Sequence, residues 1–335
     1  MIETDIIIVG AGPCGLFTVF GAGLLKLKCH LIDSLPQPGG QLTEIYPKKP
    51  IYDIPGFPDI LAGDLVDNLM KQIEPFKPGF TLGERAETIE KLEDGRFCLT
   101  SSKGTKLVAP VITIAGGLGC FEPRKPPISN ITDFEDKGVE YIIKEPELYR
   151  DKKIVIAGGG DSALDWTSFL AEVASEVTLV HRRKAFRGAL DSVEKVEQLA
   201  AAGKIKLLTE SQVIGLNGDE KLNEVTIKHK VDGESTIGVD HFIPLFGLSP
   251  KLGPIAEWGL NINRSAIEVD TLDYSTNVPG IYAIGDVNTY PGKRQLILCG
   301  FHEGTIMVQS AFKHIYPDKK VQFKYTTVNG VNGFE

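Results

Sequence analysis

Two uninterrupted apolar runs, each closed by glycines, organise the chain. The first, Asp5 to Val9 in TDIIIVGAGPCG, is continuous rather than alternating, the pattern of a parallel strand covered on both faces. It predicts a strand, a glycine turn, a helix and a second strand, KCHLID, that ends at Asp33. The second run, in KKIVIAGGGDSALDWTSFLAEVASEVTLV, repeats that order. In its helix Ala163, Trp166, Leu170 and Val173 recur at three- and four-residue spacing, which predicts one core-facing side. A further apolar strand, Ile281 to Ile284, runs into Gly285 and Asp286, leaving that carboxyl at a strand end and available to a ligand.

The glycines give the two runs a chemistry. Gly10, Gly12 and Gly15 form GxGxxG: a tight turn, a place for backbone to approach a pyrophosphate, and close packing of helix on strand. The helix N-terminus then aims free N–H groups at the phosphates, and an acid at the position of Asp33 accepts hydrogen bonds from ribose hydroxyls. Cys14, inside the turn, is read as a structural thiol. Gly158, Gly160 and Ala163 give the related GxGxxA, with alanine at the helix-packing position. Here the partner strand ends in His181, Arg182 and Arg183, with Arg187 following. Guanidinium groups clamp a ribose 2′-phosphate that a carboxylate would repel, so the second turn is read as a site for NADP(H) rather than NAD(H). Two nucleotide units in one chain suggest a resident flavin and a transient nicotinamide, with electrons passing between them.

Composition narrows the setting. The chain has 335 residues, enough for two domains, and its 42% apolar and 24% charged residues are ordinary for a globular protein. A net charge of −8 argues against nucleic acid as a partner. The N-terminal residues enter a strand at once, so no signal peptide or membrane span is expected, and a cytoplasmic setting is. The five cysteines, Cys14, Cys29, Cys98, Cys120 and Cys299, are scattered without CxxC spacing, which excludes a dithiol relay and offers no zinc site.

The motifs GAGPCG, PGGQL, GGGDSA, HRRKAFR and TNVPGIYAIGD occur in the order found in the thioredoxin reductase-like flavoproteins, and the resemblance covers almost the whole chain. A thioredoxin reductase carries a cysteine pair just before the second glycine strand; this chain has YIIKEP there. With GGQLTEIYPKKPIYDIPGFP, GCFEPRKPP and the tail VQFKYTTVNGVNGFE, it resembles the branch without those cysteines, the ferredoxin–NADP reductases of thioredoxin reductase type.

The resemblance implies an α/β fold of two Rossmann-like, three-layer ββα nucleotide-binding domains. Residues 1–115 with 245–335 would form a discontinuous FAD domain, its tail starting at about 316, and residues 116–244 would form the NADPH domain. It implies FAD contacts at Asp33, Gln41, Tyr46, Ala86, Phe121, Asp286 and Thr327, with Tyr46 and Tyr325 stacking on opposite flavin faces and Ala86 touching the adenine through its backbone. It further implies a homodimer. Electrons would enter as a hydride from NADPH and leave singly to ferredoxin or flavodoxin, with no acid–base residue required. His302 and Glu303, which resemble an acid–base pair, are read as helix-start residues near the flavin. Lys48, Lys49, Arg124, Lys125, Lys293 and Arg294 are candidates for a basic docking patch. Two alternatives stand beside this reading: an NADPH diaphorase acting on quinones or flavodoxin, and a non-catalytic flavin redox sensor.

Overall fold

A computed structural model describes residues 1–119, 122–249, 251–320 and 326–334. The chain divides into two compact units, Met1–Cys120 with Pro250–Glu335, and Phe121–Ser249. Each boundary lies five residues past the one the resemblance implies, at 120/121 rather than 115/116 and at 249/250 rather than 244/245.

The discontinuous unit is built on a five-stranded sheet. Its Ile6–Val9 strand pairs in parallel with Cys29–Asp33 on one side and Val111–Ile114 on the other. Ile281–Ala283 pairs with the far side of Val111–Ile114, and Gly79–Leu82 closes the opposite edge. Successive side chains of a strand face opposite ways, and that alternation divides the core in two. Ile6, Ile8 and Leu31 pack among helix residues such as Leu16, Val19, Leu65 and Met307. Ile7, Val9, Ile32, Ile112 and Ile114 pack against Phe97, Leu99 and Leu107 of a second, four-stranded sheet. The strand needs apolar residues at every position because both faces are covered, which makes this unit a three-layer ββα structure.

The contiguous unit repeats the plan at smaller scale. The strand Lys153–Gly158 lies between Glu176–Val180 and His241–Leu245, all parallel, with Lys206–Leu208 at the edge. Val155, Ala157, Val180 and Phe242 bury against Val213, Leu216, Val225 and Ile227 of a three-stranded antiparallel sheet. The helix Asp161–Leu170 packs on the parallel strands and buries Ala163, Trp166 and Leu170. Val173, expected on the same helix, lies past its end, where its N–H closes a turn on the Leu170 carbonyl at 3.1 Å.

Candidate functional site

In the discontinuous unit, the first glycine turn is shaped by what a side chain would strike. Gly10 has φ +111°, and a Cβ on it would stand 2.4 Å from the Ala115 carbonyl oxygen. A Cβ on Gly15 would meet the Gly10 carbonyl oxygen, so the helix Pro13–Leu24 can rest on the turn only with glycine there. Gly12 differs: its backbone is extended and no atom lies within 4 Å of a Cβ built on it. Open space above an exposed backbone is what a pyrophosphate requires.

Asp33 ends its strand beside this turn. Its Oδ2 accepts the Ala11 N–H at 2.7 Å and its Oδ1 the Leu35 N–H at 2.9 Å. Burial raises the carboxyl pKa, and these backbone donors oppose the rise. Gln41 opens a short helical turn, and its Nε2 is 3.4 Å from the point where a Gly117 Cβ would stand. Tyr46 has its phenol pushed up to about 12 by burial, with the carboxylates of Asp286 and Asp53 adding to the effect. Asp286, in the turn Gly285–Val287, is itself raised by burial, against the pull of Lys293. The structure therefore brings together the glycine turn, Asp33, Gln41, Tyr46 and Asp286. Beside Asp286 is a cavity of about 380 Å³ walled by Gly117, Leu118, Thr289, Gln295 and the Asn263–Ala266 hairpin.

Ala86 and Thr327 stand on other elements of the same unit. Ala86 begins the strand Ala86–Lys91 with its side chain in the core, so only its backbone is available. Thr327 is exposed on the four-residue helix Thr326–Asn329. Phe121 and Tyr325 lie outside the described residues. His302 and Glu303 are not helix-start residues: the helix begins at Ile297, and both sit in its second turn. His302 is exposed, whereas Glu303 is fully buried and receives hydrogen bonds from Gly285, Asn288, Tyr290 and Lys293. Lys293 accordingly is no docking cation, because its side chain is only 9% exposed and its ammonium is 2.5 Å from Glu303. Sequence reading missed this cluster, since an acid and four donors from a neighbouring loop meet only once the helix lies against that loop.

In the contiguous unit the second glycine turn opens in the same way, with no atom within 4 Å of a Gly160 Cβ. Ala163 suffices at the helix-packing position, and Gly158 is the partner that must stay small: its Cβ would come within 2.5 Å of that of Ala163. The basic segment folds back over the turn. The Arg187 N–H bonds the Gly159 carbonyl at 2.8 Å, and the Ala189 N–H bonds Asp161 Oδ1 at 2.7 Å. His181 takes a different part from its neighbours. Its ring is buried, stacks on Phe186 at 4.8 Å and fills the space that a Gly159 Cβ would occupy. It floors the loop, while Arg182, Arg183 and Arg187 are exposed. Among the described residues no carboxylate forms an ion pair with any of these three. Of the other patch candidates, Lys125 is paired with Glu135 in this unit, and Arg124 is exposed.

One glycine turn beside a strand-end acid and another beside exposed arginines define a two-nucleotide oxidoreductase of Rossmann type. Comparison with known proteins agrees. Residues 4–310 match the pyridine nucleotide-disulphide oxidoreductase family. Ferredoxin–NADP reductase 1 of Christiangramia forsetii is 71% identical, over 100% of this chain and 96% of its own. The ferredoxin–NADP reductase of Beijerinckia indica is 52% identical, over 97% of this chain and 95% of its own. The thioredoxin reductase of Lactococcus lactis shares the fold with a TM-score of 0.80 at 24% identity, covering 94% of this chain and 99% of that one. The chain belongs to the pyridine nucleotide-disulphide oxidoreductases and, within them, to the ferredoxin–NADP reductases of thioredoxin reductase-like type.

Proposed function

We propose that this chain is an FAD-dependent oxidoreductase that carries electrons between NADP(H) and ferredoxin. The observation that carries the reading is the pairing of two open glycine turns with opposite strand-end charges, Asp33 at one and Arg182, Arg183 and Arg187 at the other. FAD, when bound, supplies both hydride acceptance and release of electrons one at a time.

The chain's own residues bind and orient. The Gly10–Gly15 turn and the N-terminus of Pro13–Leu24 receive the flavin pyrophosphate, and Asp33 receives the adjacent ribose. Tyr46, half-buried near Asp286, offers an aromatic face to the isoalloxazine. Gln41 and Asp286 supply polar contacts along its edge. Gly158, Gly160 and the start of Asp161–Leu170 receive the nicotinamide nucleotide's pyrophosphate, and the three arginines its 2′-phosphate. Phe121, Thr327 and Tyr325 complete the flavin site on the strength of the family resemblance, with Tyr325 on the second ring face. The same resemblance supports a homodimer, with ferredoxin or flavodoxin as the exchangeable partner.

The test is cytochrome c reduction by the purified, flavin-loaded protein with NADPH or NADH, with and without ferredoxin. Strong ferredoxin dependence with preference for NADPH is expected. Rapid flavin reduction that ferredoxin does not couple to cytochrome c would replace this reading with a diaphorase.

A further inference from the structure

Glu303 is fully buried in the helix Ile297–Ile315, and a buried carboxylate is costly unless paired and hydrogen-bonded. Its oxygens divide four donors between them. Oε2 accepts the Gly285 N–H at 2.7 Å and the Asn288 side-chain amide at 2.9 Å. Oε1 accepts the Tyr290 hydroxyl at 2.8 Å and the Lys293 ammonium at 2.5 Å. Lys293 donates again, to the Gly285 carbonyl at 2.9 Å. Both backbone groups of Gly285 are thus held, one by each partner of the ion pair, and Asp286 is the next residue.

The cluster also abuts the first glycine turn. Cys14 Sγ lies 3.2 Å from where a Gly285 Cβ would be and 2.2 Å from that of Gly300. Helix, Asp286 turn and glycine turn therefore meet with no slack, and the charges at the junction are Asp286, Lys293 and Glu303.

We propose that Glu303 is a positioning residue of the flavin site, fixing the turn that carries Asp286 and, by neutralising Lys293, setting the local charge that a bound flavin meets. The proposal rests on the reading that this turn and Asp286 hold FAD. Reduction adds negative charge to the ring system. With Glu303 ionised the three groups sum to one negative charge, and that sum disfavours the added electrons. Glu303→Gln leaves Lys293 facing Asp286 alone, brings the sum to zero and so eases reduction relative to wild type. Lys293→Gln leaves two carboxylates and disfavours them further.

The experiment is spectroelectrochemical titration of the flavin-loaded wild type, Glu303→Gln, Lys293→Gln and the double variant, beside thermal unfolding of each. The flavin midpoint potential is expected to shift positive in Glu303→Gln and negative in Lys293→Gln, and to return towards wild type in the double variant. A purely structural cluster would lower the melting temperatures and leave all the potentials equal, which overturns the proposal. Should Glu303→Gln not fold, the Lys293→Gln potential decides alone: a negative shift supports the proposal and an unchanged value overturns it. Wild type that binds no FAD, or is not reduced by NADPH, would refute the functional reading itself, whatever Glu303 does.

Discussion

Arg187 reaches back to the second glycine turn, its backbone N–H on the Gly159 carbonyl at 2.8 Å, so the basic segment is tied to that turn. A charge-assisted hydrogen bond is worth about 1.5–3 kcal/mol. Replacing Arg182, Arg183 or Arg187 with Ala should lower kcat/KM for NADPH roughly tenfold to hundredfold. The same constant for NADH, which lacks the 2′-phosphate, should stay within about twofold. Steady-state kinetics with both nucleotides checks this, and equal losses on both would dissociate these arginines from 2′-phosphate recognition.

Asp161 is the second tie on that segment, through the Ala189 N–H. Asp161→Ala frees the loop without removing a guanidinium. The expected result is a reduced NADPH-over-NADH preference, smaller than in the arginine variants, with the flavin absorbance spectrum unchanged. Isothermal titration with both nucleotides measures the preference directly.

Gly10 and Gly12 make opposite demands. Gly10→Ala forces a Cβ against the Ala115 carbonyl from a positive φ, and should destabilise the flavin-free protein by about 2 kcal/mol or more. Gly12→Ala, extended and unobstructed, should leave flavin-free stability unchanged yet abolish flavin retention, because the new methyl occupies the ligand's space. Thermal unfolding and the flavin-to-protein absorbance ratio separate the two outcomes.

Burial holds the His181 imidazole below its ordinary pKa of 6.5; hydrogen bonds with the backbone of Ala185 and Gly158 oppose the shift, and the positive charges of Arg187 and Arg182 add to it. As pH falls through that ordinary value the unfolded chain takes up a proton that the folded chain still refuses. Stability from the neutral ring is therefore complete above it and lost on acidification. His30 and His314 are shifted in the same direction, first by burial in each case. Melting temperatures between about pH 7.5 and 5 should fall more steeply for wild type than for His181→Gln. Parallel slopes would remove His181 from the acid response.

What was legible in the sequence is what chemistry concentrates in a few consecutive residues. The glycine turns, Asp33 and the arginine segment each lie within one βαβ stretch, where backbone rules alone set the geometry. The continuous apolar strand Ile6–Val9 announced a sheet covered on both sides for the same reason. Lys293 was misread because a lysine in a loop is ordinarily solvated, and its acid stands on a different element. His181 looked like one more cation in a basic run. Only the hole left by Gly159 explains why its ring turns inward while the adjacent arginines do not.

The contiguous unit begins and ends in strands that pair with each other, Glu122 opposite Ser249 and Pro123 opposite Leu248. The sheet of the other unit stays short of its outer strand, Ile281–Ala283, until most of the chain has been made. Domains fold as units as they leave the ribosome. The half that starts second is thus the half that finishes first, while the opening strands wait. A transcript cut short after residue 249 yields a complete nucleotide cradle tethered to a sheet whose Val111–Ile114 edge is bare, an aggregation-prone product rather than a smaller enzyme.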